Sequence, residues 1–246
     1  MTDPTLLLVF IAATITALAT GLGALPLLAM RNVTPRALAI GNAIAAGLML
    51  AATFSLVVEG FEFSAPRTLI GLLLGLAGIW LAKRYFDGKD GITLANANGA
   101  DALKILLIMG VMTVHSAAEG VGVGVAYGSG RELGDFITIA IALHNVPEGL
   151  AIALVMVPRG ASIGKAAWWA ILSSAPQPLL AVPAFAFVLV FTPFLPIGLG
   201  LAAGAMLWMI FSELLPESQE GMDSSSVGVL VTVAFAAMMA VTLVLG

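Results

Sequence analysis

The sequence predicts an all-α integral membrane protein: eight transmembrane helices in a single domain over residues 1–246, an inverted pseudo-twofold repeat, and both termini outside. Three observations predict it. Of the 246 residues, 60% are hydrophobic and only 10% are charged, whereas a soluble domain averages about 45–50% apolar and about 25% charged. The apolar residues form long solid runs, not the short alternating segments of a β-barrel. Lysine and arginine gather on one side of those runs. A soluble enzyme is excluded on composition, and a net charge of −4 offers no basic patch for nucleic acid. With no cysteine in the chain, disulfides, thiolate metal sites and iron–sulfur clusters are excluded as well.

A helix needs roughly 20 mostly apolar residues to cross the hydrocarbon core. Eight runs qualify, at about 5–30, 37–58, 66–82, 103–128, 136–157, 166–191, 197–217 and 226–245. The first follows Met-Thr-Asp-Pro, which has no positive n-region, and it is too long for a signal-peptide h-region, so it reads as a retained helix. It stops at Arg31-Asn-Val-Thr-Pro-Arg36. The second ends at a polar connection from Glu59 to Arg67, and the third, the shortest, at the polar stretch 83–101. Ser129 to Asp135 separates the fourth from the fifth, and Pro158 to Lys165 the fifth from the sixth. The next junction, Thr192 to Pro196, is uncharged and marked by two prolines; Ser218 to Ser225 precedes the last span.

The connections after spans one, three and five hold Arg31, Arg36, Lys83, Arg84, Lys89, Lys104, Arg159 and Lys165, eight of the ten Lys and Arg residues. Only Arg67 and Arg131 fall on the other side. The positive-inside rule therefore makes the connections after spans one, three, five and seven cytoplasmic and turns both termini outward. Short connections without targeting segments favour a bacterial cytoplasmic membrane.

Two spans carry ionisable residues near their centres. The fourth contains His115-Ser116-Ala117-Ala118-Glu119-Gly120 and the fifth His144-Asn145-Val146-Pro147-Glu148-Gly149, and these are the only two histidines. A spacing of four places each His and Glu on one helix face, a turn apart. A carboxylate at that depth costs on the order of 2.5–3.5 kcal/mol, so something must offset it. Two imidazoles and two carboxylates from adjacent antiparallel helices suit a divalent transition metal. Mutual His–Glu pairing is the alternative, but a duplicated pair is hard to explain as packing. Pro147 frees the Leu143 carbonyl beside His144, either as a plain kink or as an opening toward a wet cavity. The glycines at 120, 122, 124 and 128 read as packing residues. Repeated motifs of opposite topology meeting at the midplane are a pointer to a transporter site.

On these motifs the chain resembles the ZIP (Zrt/Irt-like protein) family of divalent metal transporters, close to its bacterial GufA-like branch. The fifth span reads HNVPEG, the family pattern intact, and the fourth reads HSAAEG. The resemblance covers essentially the whole chain. It implies influx of zinc, or of iron, manganese or cadmium, through a site between spans two, four, five and six. It makes His115, Glu119, His144 and Glu148 metal ligands. Met49, a packing methionine when read alone, becomes a thioether ligand by the same resemblance. Many members carry a second, adjacent metal site; its matching positions here, Ser116, Asn145 and Gln177, are all uncharged. A site without a carboxylate of its own holds a divalent cation weakly, so one high-occupancy metal is expected. Pro176 and Pro178 suggest a broken helix in which the Gln177 amide either lines the path or satisfies backbone groups.

Glu213 and Glu217, four apart at the end of span seven, read either as acceptors of departing metal or as solvated interfacial charges. Glu59 and Glu62 at the outer rim read as solvated residues that could attract cations. The cytoplasmic connection between spans three and four lacks the histidines that many members carry there.

The expected mechanism is alternating access around the midplane site by a secondary transporter; the resemblance implies that spans one, four, five and six move against the rest. Metal needs neutral histidines, so uptake is expected to fall on acidification between about pH 8 and 5. A metal- or proton-conducting channel is the first alternative, and an intramembrane metallohydrolase the second. The latter lacks H-E-x-x-H and a general base outside the ligand set. Divalent metal is expected as substrate, not as cofactor. The other partner is the lipid bilayer, and a homodimer is left open.

Overall fold

The computed structural model describes residues 4–29, 34–86, 93–94, 97–98 and 100–245. Arg31 and Lys89, two of the cations that set the expected orientation, lie outside them.

α1 (Leu6–Leu22) begins where the Thr5 hydroxyl accepts the Leu8 amide at 3.2 Å, and it runs on into a 3₁₀ turn, Leu25–Ala29. α2 (Pro35–Phe86) is 52 residues long. The expected 59–67 connection is not a loop. The helix is interrupted only at Ser64 (φ −169°, ψ 102°), with Pro66 just inside the next segment. Proline is tolerated in a first helical turn, so the helix restarts at Pro66 without a longer linker. The chain folds back there, because Gly60 packs directly on the Thr68 side chain, while in a straight helix those residues would stand about 12 Å apart.

Two strands of two residues, β1 (Thr93–Leu94) and β2 (Ala97–Asn98), pair antiparallel inside the polar stretch 83–101. This small hairpin is absent from the all-α expectation. α3 (Ala100–Ser129) and α4 (Arg131–Met156) are separated by Gly130 alone, at φ 144°, a conformation open to glycine and strained for other residues. The expected polar connection 129–135 is therefore mostly helix. α4 continues unbroken through Pro147.

The sixth run divides into α5 (Ile163–Ser173) and α6 (Pro176–Ala186), with Ser174 and Ala175 between them. A four-residue helix α7 (Val188–Phe191) and a 3₁₀ turn (Thr192–Phe194) lead into α8 (Leu195–Met209). α8 passes through a π-helical turn (Ile210–Leu214) into α9 (Leu215–Gly221), and α10 (Ser224–Leu245) closes the chain.

The architecture is an all-helical bundle. Among the described residues, six stretches are long and apolar enough to cross a membrane: Leu6–Ala29, Pro35–Tyr85, Asp101–Ser129, Arg131–Met156, Val188–Gly221 and Ser224–Val244. The second holds two segments folded on each other, and α5 and α6, at 11 residues apiece, are too short singly. Large apolar side chains such as Leu7, Leu73, Leu189 and Val244 face outward, and only 17% of the apolar window of α10 is buried. Such a surface suits hydrocarbon rather than water, which makes this a multi-pass membrane protein.

Glycine sets the closest helix contacts. Gly71 and Gly75 of α2 lie against the Ile197 and Leu201 carbonyls of α8, and Gly200 and Gly204 of α8 lie against the Thr68 and Leu72 carbonyls of α2. These reciprocal four-residue spacings bring two backbones into contact. The largest apolar cluster, including Met112, Ile152, Leu154, Met156, Leu199 and Met206, lies among α3, α4 and α8.

Candidate metal centre

α3 carries His115 and Glu119 one turn apart, and α4 brings Glu148 to them. One ligand atom from each of the three lies within 4.8 Å of the others, and all three residues are buried. His115 Nε2 is 2.6 Å from Glu148 Oε1 and 3.2 Å from Glu119 Oε1. None of these three atoms has a partner in hydrogen-bond geometry, nor has His115 Nδ1 or Glu148 Oε2. Buried polar atoms are rarely left unpaired. An imidazole and two carboxylates converging on one point are the donors that a divalent cation would satisfy.

His144, expected as the fourth ligand, stands outside this trio. It is half-buried, its Nε2 is also unpartnered, and it lines a cavity of about 520 Å³ together with Glu119, Glu59 and Glu62. Glu119 thus belongs both to the cavity wall and to the trio. The cavity is also lined near the breaks at Ser64 and Gly130 by Phe63, Ser129 and Leu133. Glu59 and Glu62, expected at a solvated rim, are therefore on its wall. Met49 is fully buried in the main apolar cluster.

The three uncharged positions are engaged by other side chains. The Gln177 amide does not satisfy backbone groups. Its Nε2 donates to Glu119 Oε2 at 2.6 Å, and its Oε1 accepts from the Thr16 hydroxyl at 2.7 Å and from Asn145 Nδ2 at 3.1 Å. Asn145 Nδ2 also donates to the Thr16 carbonyl at 2.6 Å, and the Ser116 hydroxyl lies 3.4 Å from that of Ser174, which in turn pairs with Thr20. Sequence reasoning missed Thr16, Thr20 and Ser174. A signal existed for the first two: threonines four apart put hydroxyls on one face of an otherwise apolar helix.

The motif glycines position these groups. A Cβ on Gly120 would sit 2.6 Å from the Gln177 carbonyl oxygen, and one on Gly149 would overlap the Thr20 carbonyl. Of the other glycines read as packing residues, Gly124 meets the Ala181 carbonyl and Gly128 the Val188 side chain, while Gly122 faces open space on the cavity wall.

Glu213 and Glu217 are neither solvated nor free. Glu213 pairs with Lys83 at 3.1 Å and Lys104 at 3.0 Å. Glu217 pairs with Lys104 at 2.9 Å and with Arg159 at 3.0 Å, and accepts from Asn42 Nδ2 at 3.0 Å. Arg159 continues the chain to Asp101 at 2.7 Å. Burial works against the Arg159 charge, but its hydrogen bonds to Asp101 and Glu217 outweigh that and hold its pKa above the ordinary value. This network occupies the Lys/Arg-rich end of the bundle, since Lys104 and Ser129 stand at opposite ends of α3.

No family model matches the chain, but full-length relatives do. It is 32% identical over 231 residues to the zinc transporter GufA of Myxococcus xanthus, covering 86% of this chain and 88% of that one. It is 33% identical over 248 residues to the zinc transporter ZIPB of Bordetella bronchiseptica, covering 93% and 78%. An Arabidopsis thaliana protein is 43% identical over 229 residues, which span 92% of this chain but only 37% of that longer protein. Two bacterial transporters matched along most of their length, together with a buried His–Glu–Glu centre in an apolar helical bundle, establish that the chain belongs to the ZIP family of zinc transporters.

Proposed function

We propose that this chain is a secondary transporter that carries divalent metal, zinc first, into the cytoplasm by alternating access, and that the buried trio of His115, Glu119 and Glu148 is its transport site. The observation that carries this reading is the trio itself: three buried side chains able to ligate a metal, on two helices, each with an unpartnered donor atom turned to the others, reached through Glu119 from a cavity lined by acids. In this reading Glu59 and Glu62 draw the cation in, and His144 receives it on the cavity wall ahead of the trio. Met49 supplies the soft donor that the family resemblance carries over. Iron, manganese and cadmium suit similar donors. One metal is held at high occupancy, because Ser116, Asn145 and Gln177 carry no charge.

The proposed architecture is one eight-span domain with termini outside, in a bacterial cytoplasmic membrane, its connections after spans one, three, five and seven facing the cytoplasm. The fold-back at Ser64 supplies spans two and three, and α5 with α6 supplies span six. The packing pattern supports an inverted repeat about α3 and α4. α3 meets α6 at Gly120 while α4 meets α1 at Gly149; the first half of α2 meets α10 at Gly47 while its second half meets α8. The charge network at one end and the cavity at the other support the reading of a carrier open to the outside and closed to the cytoplasm.

Uptake into proteoliposomes over a panel of divalent cations tests the proposal. Saturable uptake of zinc is expected, with loss to background in Glu148→Ala. Linear, voltage-driven current would show a channel instead, and no uptake above empty liposomes would overturn the transport reading.

A further inference from the structure

The buried amide of Gln177 is held on both sides. Its Oε1 accepts from Asn145 Nδ2 at 3.1 Å and from Thr16 Oγ1 at 2.7 Å, whose single proton is shared with the Ala13 carbonyl at 2.8 Å, and both lone pairs of the amide oxygen are thereby engaged. No lone pair remains for a cation, so Gln177 is not a ligand in this arrangement. The same bonds determine which way the amide points. Turned over, it would set its NH₂ against the Asn145 NH₂ and its oxygen against the Glu119 carboxylate. The NH₂ therefore faces Glu119, and it donates to Oε2 at 2.6 Å. Glu119 Oε1, with no hydrogen bond, is the oxygen that lies 3.2 Å from His115 Nε2 in the trio.

The backbone reinforces the arrangement. Pro176 starts α6 directly after the break at Ser174–Ala175, which places Gln177 in the first turn, inside the bundle. Gly120, one residue beyond Glu119, lets the Gln177 backbone approach α3 closely enough for a short side chain to reach the carboxylate.

We propose that Gln177 is a positioning and specificity-determining residue: it occupies one oxygen of Glu119, so the carboxylate offers the metal the other oxygen only. The proposal rests on the trio being the metal site. One-oxygen ligation keeps the coordination number low, which suits tetrahedral zinc. Manganese favours an octahedral oxygen-rich shell, and a carboxylate free to bind through both oxygens serves it better. Gln177 thus tilts selection toward zinc without touching the ion. Thr16 and Asn145 act through Gln177.

The test is equilibrium competition between zinc and manganese on purified protein in detergent, for the wild type, Gln177→Met and Thr16→Val. Methionine keeps the length and loses the donor; valine removes one anchor of the amide in an isosteric side chain. Losing an outer partner of a metal ligand typically costs about 10–100-fold in affinity. Gln177→Met is expected to lower zinc affinity about tenfold while manganese affinity holds or rises, and Thr16→Val to shift the ratio the same way by less. X-ray absorption at the zinc edge should show the oxygen coordination rising in Gln177→Met. Equal losses for both metals, or an unchanged ratio with unchanged coordination in both variants, would overturn the proposal and leave Gln177 a packing residue. Wild-type protein that binds zinc but moves none into liposomes would sink the transport reading alone, because the affinity ratio is read without transport.

Discussion

Glu119 joins the two halves of the site. One of its oxygens is held by Gln177, the other lies beside His115, and the side chain forms part of the cavity wall. The two histidines are therefore not equivalent, although their motifs look alike in sequence. Removing a trio member should cost more zinc affinity than the roughly 10–100-fold that an outer partner commands. Calorimetry in detergent should accordingly show a larger loss for His115→Ala than for His144→Ala. The latter should act mainly on uptake, raising the half-saturating zinc concentration, because His144 lines the cavity wall outside the trio. Equal losses of affinity would mean that His144 joins the trio when metal binds. The pairing of His115 with Glu119 is legible in the sequence, since a spacing of four fixes two side chains on one helix face. The different station of His144 depends on how α4 is rotated and seated against α3, which no spacing encodes.

At the scale of the element, glycine and proline decide where helices touch and where they stop. Gly149 closes the HNVPEG motif because the Thr20 carbonyl of α1 occupies the space a side chain would need. Backbone cannot move aside as a flexible side chain would, so Gly149→Ala is expected to destabilise the fold by about 1–3 kcal/mol. Thermal unfolding in detergent would register this as a lower midpoint, while Gly122→Ala, with nothing within 4 Å of the added methyl, should leave the midpoint unchanged. The prolines show the limits of local signals. Pro66 and Pro176 each stand next to a break, whereas Pro147 lies inside an unbroken helix. The residue type is the same and the packing around it differs. The π-helical turn at Ile210–Leu214, which carries Glu213, has no signature in apolar periodicity.

At the scale of the molecule, a Lys/Arg–Glu network lies at one end and the cavity at the other. Lys83 near the end of α2, Lys104 in the first turns of α3 and Arg159 in the turn after α4 converge on Glu213 and Glu217, leaving no oxygen of either carboxylate without a donor. Lys104 bridges both acids, so it is the residue whose loss separates the network most. Lys104→Met should raise hydrogen exchange in α9 and in the first turns of α3 while leaving zinc affinity at the trio unchanged. Unaltered exchange in both segments would show that these ion pairs do not hold that end closed. An isolated surface pair contributes about 0–1 kcal/mol, and it is the connection of six charged side chains, Asp101 included, into one network that makes an effect measurable here.

The sequence by itself determined the class of the protein, the placement of most apolar segments and the two His–Glu pairs from which the buried trio is drawn. Each of these follows from local rules: run length against bilayer thickness, and four-residue spacing against the helical turn. Only the tertiary structure decided that residues 59–67 need a break of one residue, that His144 stands on a cavity wall, that Gln177 serves Glu119 and that Glu213 and Glu217 are already paired. These are relations between residues separated by up to 175 positions in the chain, as for Asn42 and Glu217. Their physical origin is the seating of one helix on another, through glycine contacts and buried hydrogen bonds that become specific only once the bundle has closed.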